Sequence, residues 1–272
     1  MGQPKKNNRF VLAILSSKGG VGKTMLAVSL IDLLGRDHYK INALDFDVNA
    51  PNLAIWLGGT ENLDEVLPIE IFPLPNKYKR CKKLEVICDG EVLKVENEKR
   101  GEVKIKKDFT PSFGNYKLNL ISGSIDEGKT GSGKVVEGVI EAAGQFEAQI
   151  QILDSAPGTG YPVLTPLKES DFAILITEPT VLGFSDLKKL VAITKNNNKF
   201  GVVINKESLN PELGKEIEIW SSPNFLGRID FFPEIEENLK NKVPPTLKKS
   251  KISKQIENIY HLILNQAKVA HL

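Results

Sequence analysis

Phe10-Val11-Leu12-Ala13-Ile14-Leu15, then Ser16-Ser17, then Lys18-Gly19-Gly20-Val21-Gly22-Lys23-Thr24, is the stretch on which the fold turns. An apolar run enters a glycine-rich loop, and the amphipathic series Leu26, Val28, Leu30, Ile31, Leu34 follows up to Gly35. That order reads as a strand, a phosphate-cradling loop and a helix start. Closely spaced glycines let several backbone N–H groups converge on phosphate oxygens at a helix N-terminus. Lys23 is placed to reach the terminal phosphates of a nucleoside triphosphate, and Thr24 to hold Mg²⁺. Ser17 stands where such a loop usually has its first glycine, and an additional lysine, Lys18, lies inside it.

The chain has 272 residues, a formal net charge of +2 and two cysteines. Its length suits one large α/β domain or one and a half small ones, and its charge does not announce nucleic acid. Few cysteines, no N-terminal apolar signal region and no run approaching the about 20 apolar residues of a spanning helix point to the cytoplasm. Strands are expected over residues 10–15, 41–44, 150–153, 172–177 and 200–204, and helices over 23–34, 133–143, 185–195, 211–219, 233–240 and 252–267. Unbroken apolar strands are covered on both faces. Alternating strands and helices predict an α/β fold with a doubly wound, mostly parallel sheet and ligands at the carboxyl ends of the strands, and the phosphate-cradling loop after the first strand makes it a sheet of the P-loop NTPase kind.

Two more segments carry chemistry. In Leu44-Asp45-Phe46-Asp47-Val48-Asn49-Ala50-Pro51-Asn52 the two carboxylates are two residues apart, which in a strand puts both on one face. One then serves Mg²⁺ through water and the other orients the water that attacks the γ-phosphate. The competing reading is a solvated strand end with a capping Asp; the position one βα unit after the loop favours the functional one. In Gln149-Ile150-Gln151-Ile152-Leu153-Asp154-Ser155-Ala156-Pro157-Gly158-Thr159-Gly160 an apolar strand ends in Asp154 and a Pro/Gly-rich loop. Asp154 would hold an Mg²⁺-bound water. Gly158 or Gly160 would offer a backbone N–H to the γ-phosphate.

With these residues in view, Lys18 to Thr24 resembles the deviant Walker A loop, Lys-Gly-Gly-x-Gly-Lys-Thr/Ser, of the MinD/ParA/Mrp class of P-loop ATPases. Asp45 to Asn52 is similar to that class's switch I, and Asp154 to Gly160 to its switch II. Thr177-Glu178-Pro179-Thr180 and Gly201-Val202-Val203-Ile204-Asn205-Lys206 resemble its later strand ends. The likeness covers most of the chain outside residues 70–120 and is closest to the MinD-superfamily, Mrp-like ATPases that carry a ferredoxin-like insertion. It implies ATP and Mg²⁺ as cofactors and a homodimer with ATP at its interface. Lys18, Lys23 and Asp47 would be catalytic, with Lys18 crossing to the partner's nucleotide in the manner of an arginine finger. Ser17, Lys18, Gly19, Gly20, Val21, Gly22, Lys23 and Thr24 would bind the nucleotide, and Thr24, Asp45 and Asp154 the metal. Asn205 would read the adenine edge, with the stretch from Ile229 to Pro233 beside the base. A helix-capping Asn205 is the equal alternative, and Glu178 is either a dimer-interface residue or a surface charge.

The expected organisation is a single P-loop ATPase domain over residues 1–272 with a small β-rich insertion over 71–119. Within it, 83–88, an Asp89-Gly90 turn, 91–95 and 103–106 read as antiparallel β structure. Ferredoxin-like insertions carry repeated Cys-x-x-Cys runs, whereas this chain has only Cys81 and Cys88. Two thiolates cannot fill a four-ligand site, so no iron–sulfur cluster is expected within one chain; a cluster shared between two subunits is the variant. Lys77, Lys79, Arg80, Lys82, Lys83, Lys104, Lys106 and Lys107, and a second cluster from Lys240 to Lys254, keep nonspecific DNA open as a partner. Interspersed glutamates favour a solvated face instead. Residues 128–134 read as a flexible loop near the dimer face, with Lys134 as a candidate contact. Ile252, Ile256, Ile259, Tyr260, Ile263, Leu264 and Ala267 form one helix face, read as core packing in preference to a membrane-surface helix. The expected function is a Mg²⁺-dependent, ATP-hydrolysing dimeric switch of the MinD/Mrp type that engages an unknown protein partner. Its alternatives are an iron–sulfur or metallocofactor maturation ATPase and a ParA-like DNA-associated positioning ATPase.

Overall fold

Residues 9–60, 63–71, 83–88, 91–96, 98–158, 160–195 and 199–267 are described by a computed structural model of the chain. In chain order the strands are β1 (Phe10–Leu15), β2 (Ile41–Phe46), β3 (Glu65–Ile71), β4 (Lys83–Cys88), β5 (Glu91–Glu96), β6 (Glu98–Phe109), β7 (Leu118–Ile125), β8 (Ile150–Ser155), β9 (Phe172–Thr177), β10 (Lys199–Ile204) and β11 (Phe225–Arg228). The helices are α1 (Lys23–Arg36), α2 (Leu53–Leu57), α3 (Ser132–Ala143), α4 (Tyr161–Glu169), α5 (Val181–Thr194), α6 (Pro211–Ser221), α7 (Ile235–Lys240) and α8 (Lys251–Ala267). Nine strands form one sheet in the order β11-β10-β9-β1-β8-β2-β7-β6-β3. Every neighbouring pair from β11 to β7 is parallel, and the pairings β7–β6 and β6–β3 are antiparallel. This is the α/β P-loop NTPase architecture that the alternating pattern predicts.

Strands β2, β8 and β9 are buried along their whole length because helices cover both faces. One face carries α1, α2 and α8, with Leu12, Ile14, Leu26, Leu30, Ile152 and Ile256 in its core; the other carries α3 to α6, with Leu15, Phe46, Val139, Leu153 and Leu187. Ile252, Ile256, Ile259, Tyr260 and Ile263 of α8 are buried, and the helix packs on α1 and β11, as its apolar stripe predicts. Among the described residues no helix is long and apolar enough to cross a membrane.

The structure redraws the region around the expected insertion. The strand foreseen at 103–106 runs over Glu98–Phe109 and belongs to the main sheet, between β7 and β3. Its alternation explains this: Val103 and Ile105 are fully buried, while Lys104 and Lys106 point to the other face. Strands β4 and β5 pair antiparallel in a separate two-stranded sheet, Cys88 opposite Glu91. Cys81, the basic stretch 77–82 and the Asp89-Gly90 turn lie outside the described residues.

Candidate active site

Parallel strands bring the three sequence motifs to one edge. Asp45 on β2 is directly opposite Asp154 on β8, which in turn is opposite Ile14 on β1, one residue before the strand runs into the loop. The loop then turns through left-handed Gly20 (φ 74°) and Gly22 (φ 97°) to start α1 at Lys23. Gly22 is required twice over. Its φ suits no side chain, and a Cβ there would lie 2.3 Å from Asn205 Nδ2.

Ser16, which has no exposed surface, donates its hydroxyl to the Lys18 carbonyl at 2.7 Å and accepts from Lys23 Nζ at 2.9 Å. Thr24 donates to Asp154 Oδ2 at 2.6 Å. The other oxygen, Asp154 Oδ1, is buried and has no hydrogen-bond partner among the described residues. Asp45, also fully buried, accepts from the Asp47 N–H and the Leu53 N–H, each at 3.0 Å, and so fixes the turn between β2 and α2. Asp47 is half-buried on that turn. Burial pushes the Asp45 carboxyl up, the neighbouring Asp154 charge adds to this, and the two backbone N–H groups oppose it. Asp154 is pushed up to about 6, chiefly by burial, against the Thr24 hydrogen bond and the Lys23 charge. Asp47 is raised by burial and lowered by Lys23. Lys23 itself is pushed down by burial, with Asp154 and Asp47 holding its charge.

Asp154 and Asp47 near the Lys23 ammonium, with buried Asp45 opposite Asp154 and an orphaned carboxylate oxygen beside a threonine hydroxyl, form a donor set that suits a hydrated divalent cation. Among the described residues no set of three or more His, Cys, Asp or Glu side chains could hold a metal alone. A nucleotide-bound Mg²⁺ needs fewer protein ligands, because phosphates and water supply the remainder.

Ser17 and Lys18 are half-exposed and Gly19 and Gly20 exposed, at the rim of the loop. Asn205, 5% exposed, donates Nδ2 to the Val21 carbonyl at 2.8 Å, and no side-chain cap is present at the short 3-10 turn that follows. It is therefore tied to the phosphate loop and does not cap that turn. Lys206 Nζ donates to the Gly20 carbonyl at 3.1 Å and pairs with Glu178, so Glu178 is not a free surface charge. Gly158 N–H donates to the Ser16 carbonyl at 3.0 Å, which joins the loop after β8 to the base of the phosphate loop. Pro233 is exposed, on a segment tied to the 3-10 turn by Glu207 N–H to the Ile229 carbonyl at 3.0 Å and Phe231 N–H to Ser208 Oγ at 2.9 Å. Ser16 and Lys206 are the site residues to which the motifs assign no role. Their signal is adjacency: Ser16 ends the strand run and Lys206 follows Asn205.

Residues 12–245 match the CobQ/CobB/MinD/ParA nucleotide binding domain. The chain belongs to this family. The MinD/ParA group consists of P-loop ATPases, and the Lys18 to Thr24 loop lies within the matched span. An uncharacterised protein of Methanocaldococcus jannaschii is 29% identical over 268 residues, covering 92% of this chain and 94% of that one. The iron-sulfur cluster carrier protein of the same organism is 26% identical over 272 residues, covering 94% and 84%. In three dimensions the chain is similar to the septum site-determining protein MinD complexed with Mg-ADP from Pyrococcus horikoshii OT3. The TM-score is 0.65 at 17% identity, over 96% of this chain and 98% of MinD, a likeness of fold.

Proposed function

We propose that this MinD/ParA-family chain is a Mg²⁺-dependent ATPase acting as a dimeric switch, in which ATP closes two copies face to face and hydrolysis releases them. The observation that carries the reading is the Thr24–Asp154 pair, whose second carboxylate oxygen is buried without a hydrogen-bond partner among the described residues and feels the Lys23 charge. Lys23 balances the charge of the β- and γ-phosphates, while the N–H groups of the Lys18 to Thr24 loop hold their oxygens. Thr24 and Asp154 would hold Mg²⁺, with Asp45, opposite Asp154, shaping the turn that carries Asp47. A metal held there would supply positive charge to offset that developing on the phosphates. Asp47 orients the attacking water. Burial raises its carboxyl, and the Lys23 charge opposes that rise and favours the ionised form that accepts a hydrogen bond. Lys18, at the exposed rim, reaches the nucleotide of the second copy. Asn205 and Pro233 flank the adenine.

Two variants test the cycle. Asp47→Ala is expected to bind ATP and remain a dimer without turning it over, seen as a persistent doubled mass by light scattering; normal hydrolysis would move the water-positioning role elsewhere. Lys18→Ala is expected to bind ATP as a monomer and to lose at least about 100-fold in turnover, because a charge supplied across the interface carries much of the rate. A dimer with unchanged phosphate release would remove the trans role.

The 26% identity to a protein named iron-sulfur cluster carrier supports a second use of the same cycle, metallocofactor maturation. With two cysteines in the chain, a cluster would have to be shared between subunits. Iron analysis of anaerobically purified dimer separates the two: iron at about one cluster per dimer supports maturation, and its absence leaves the switch that engages a protein partner.

A further inference from the structure

We propose that Lys206, braced by Glu178, is a positioning residue that sets the orientation of the phosphate loop; the inference rests on the nucleotide-binding reading above. β9 and β10 lie side by side, Thr177 opposite Ile204, and the Asn205 N–H closes their ends by donating to the Thr177 carbonyl at 2.8 Å. Lys206 follows with a left-handed backbone, φ 56° and ψ 36°. Its ammonium meets both the Glu178 carboxylate and, at 3.1 Å, the Gly20 carbonyl. The next carbonyl along the loop, that of Val21, is taken by Asn205 Nδ2 at 2.8 Å.

Two consecutive peptide planes of the loop are thus pinned from the same strand end. In a trans peptide the N–H of the following residue points opposite to the carbonyl. Holding the Gly20 and Val21 carbonyls towards β10 therefore aims the Val21 and Gly22 N–H groups to the other side of the loop. A loop containing Gly19, Gly20 and Gly22 has no intrinsic preference for those orientations, since glycine peptides reorient readily. Anchoring them before the ligand arrives removes an ordering cost from binding, which is the physical content of preorganisation. Glu178 matters because it fixes the ammonium. The Lys206 and Glu178 side chains are 31% and 21% exposed, so the pair by itself adds little to the stability of the free protein. Its effect is felt when phosphates are bound.

The test is the Kd of a non-hydrolysable ATP analogue with Mg²⁺, by titration calorimetry, and the melting temperature of the nucleotide-free protein. The proteins are wild type, Lys206→Met, Lys206→Arg, Glu178→Gln and the Lys206→Met, Glu178→Gln double variant. Lys206→Met is expected to weaken binding about tenfold, the scale of a charged hydrogen bond, with its free-protein melting point close to wild type. Lys206→Arg recovers part of the loss and Glu178→Gln shows a smaller one. The double variant is no worse than Lys206→Met, since both act through one contact. Unchanged affinity in Lys206→Met overturns the proposal. So does a fall in free-protein melting that accounts for the lost binding, and so do additive losses in the double variant. A wild-type protein that fails to bind the analogue would instead refute the nucleotide reading itself.

Discussion

Lys23→Ala is expected to lower Mg²⁺-dependent ATP hydrolysis at least about 100-fold, the scale of removing one preorganised charge from a phosphoryl-transfer site. Lys23 is 7% exposed, held against Ser16 Oγ at 2.9 Å, and the Asp154 and Asp47 charges sustain its protonation against burial. Removing it takes away the cation that, in the proposed site, would face the γ-phosphate. It also removes the charge that lowers the proton affinity of Asp154 and Asp47, so both carboxylates shift further towards their neutral forms. A neutral Asp47 orients water poorly, and a neutral Asp154 is a weaker partner for a cation. Lys23→Arg is expected to fail as well, because a planar guanidinium cannot occupy the place of a compact ammonium beside Ser16. The nucleotide-free fold should persist, since burial already disfavours the Lys23 charge. Phosphate release and ATP titration on the two variants, alongside circular dichroism, check this. Wild-type turnover in Lys23→Ala would take Lys23, and the loop that carries it, out of the phosphate site.

How much of this arrangement was legible depends on which forces act locally. The strand, loop and helix from Phe10 to Arg36 are written in contiguous residues, because glycine spacing, apolar runs and the amphipathic stripe all act within a few residues. Within that same helix the pattern gives no hint that Asp32 is 1% exposed, its carboxylate taking the Thr246 hydroxyl at 2.6 Å and pairing with Arg36. The partner is 214 residues away and no local rule reaches it. Strand β7 escaped because Asn119, Ser122, Gly123 and Ser124 dilute its apolar signal. Its burial comes from its neighbours, and Asn119 serves the sheet by donating to Asn42 at 2.9 Å. Helix α4 was hidden by Pro162 and Pro166, residues that argue against helix by propensity; Pro162 sits in the first turn, where a missing N–H costs nothing. In the site, the carboxylates were found by spacing. That Asp45 spends both oxygens on the Asp47 and Leu53 N–H groups depends on the fold of the β2–α2 turn.

The largest effect on stability is expected from Asp154→Asn, and its size depends on pH. The Asp154 carboxyl is raised from 3.8 to about 6 in the folded protein, first by burial. The native state therefore keeps its proton over a window in which the unfolded chain has already released it. Stability falls as pH rises from about 4 to about 6 and stays lower above that, by at most about 3 kcal/mol for a shift of this size. Asparagine has nearly the same shape, can still accept from Thr24 and carries no charge to bury. The nucleotide-free variant should thus melt several degrees above wild type at pH 8, at roughly 2–4 °C per kcal/mol, and the two should converge below about pH 4. Saturating Mg²⁺ and a non-hydrolysable ATP analogue should reverse the order, because ligand binding stabilises wild type by mass action while the variant has lost the carboxylate facing the cation. Calorimetric melting at pH 4, 6 and 8, with and without ligand, tests both halves. A gap that persists at pH 4 would show that packing, not buried charge, sets the difference. An equal ligand response in the two proteins would take Asp154 out of the metal site. If both halves hold, the unpartnered oxygen beside Thr24 is a stability cost that the folded chain retains for its function.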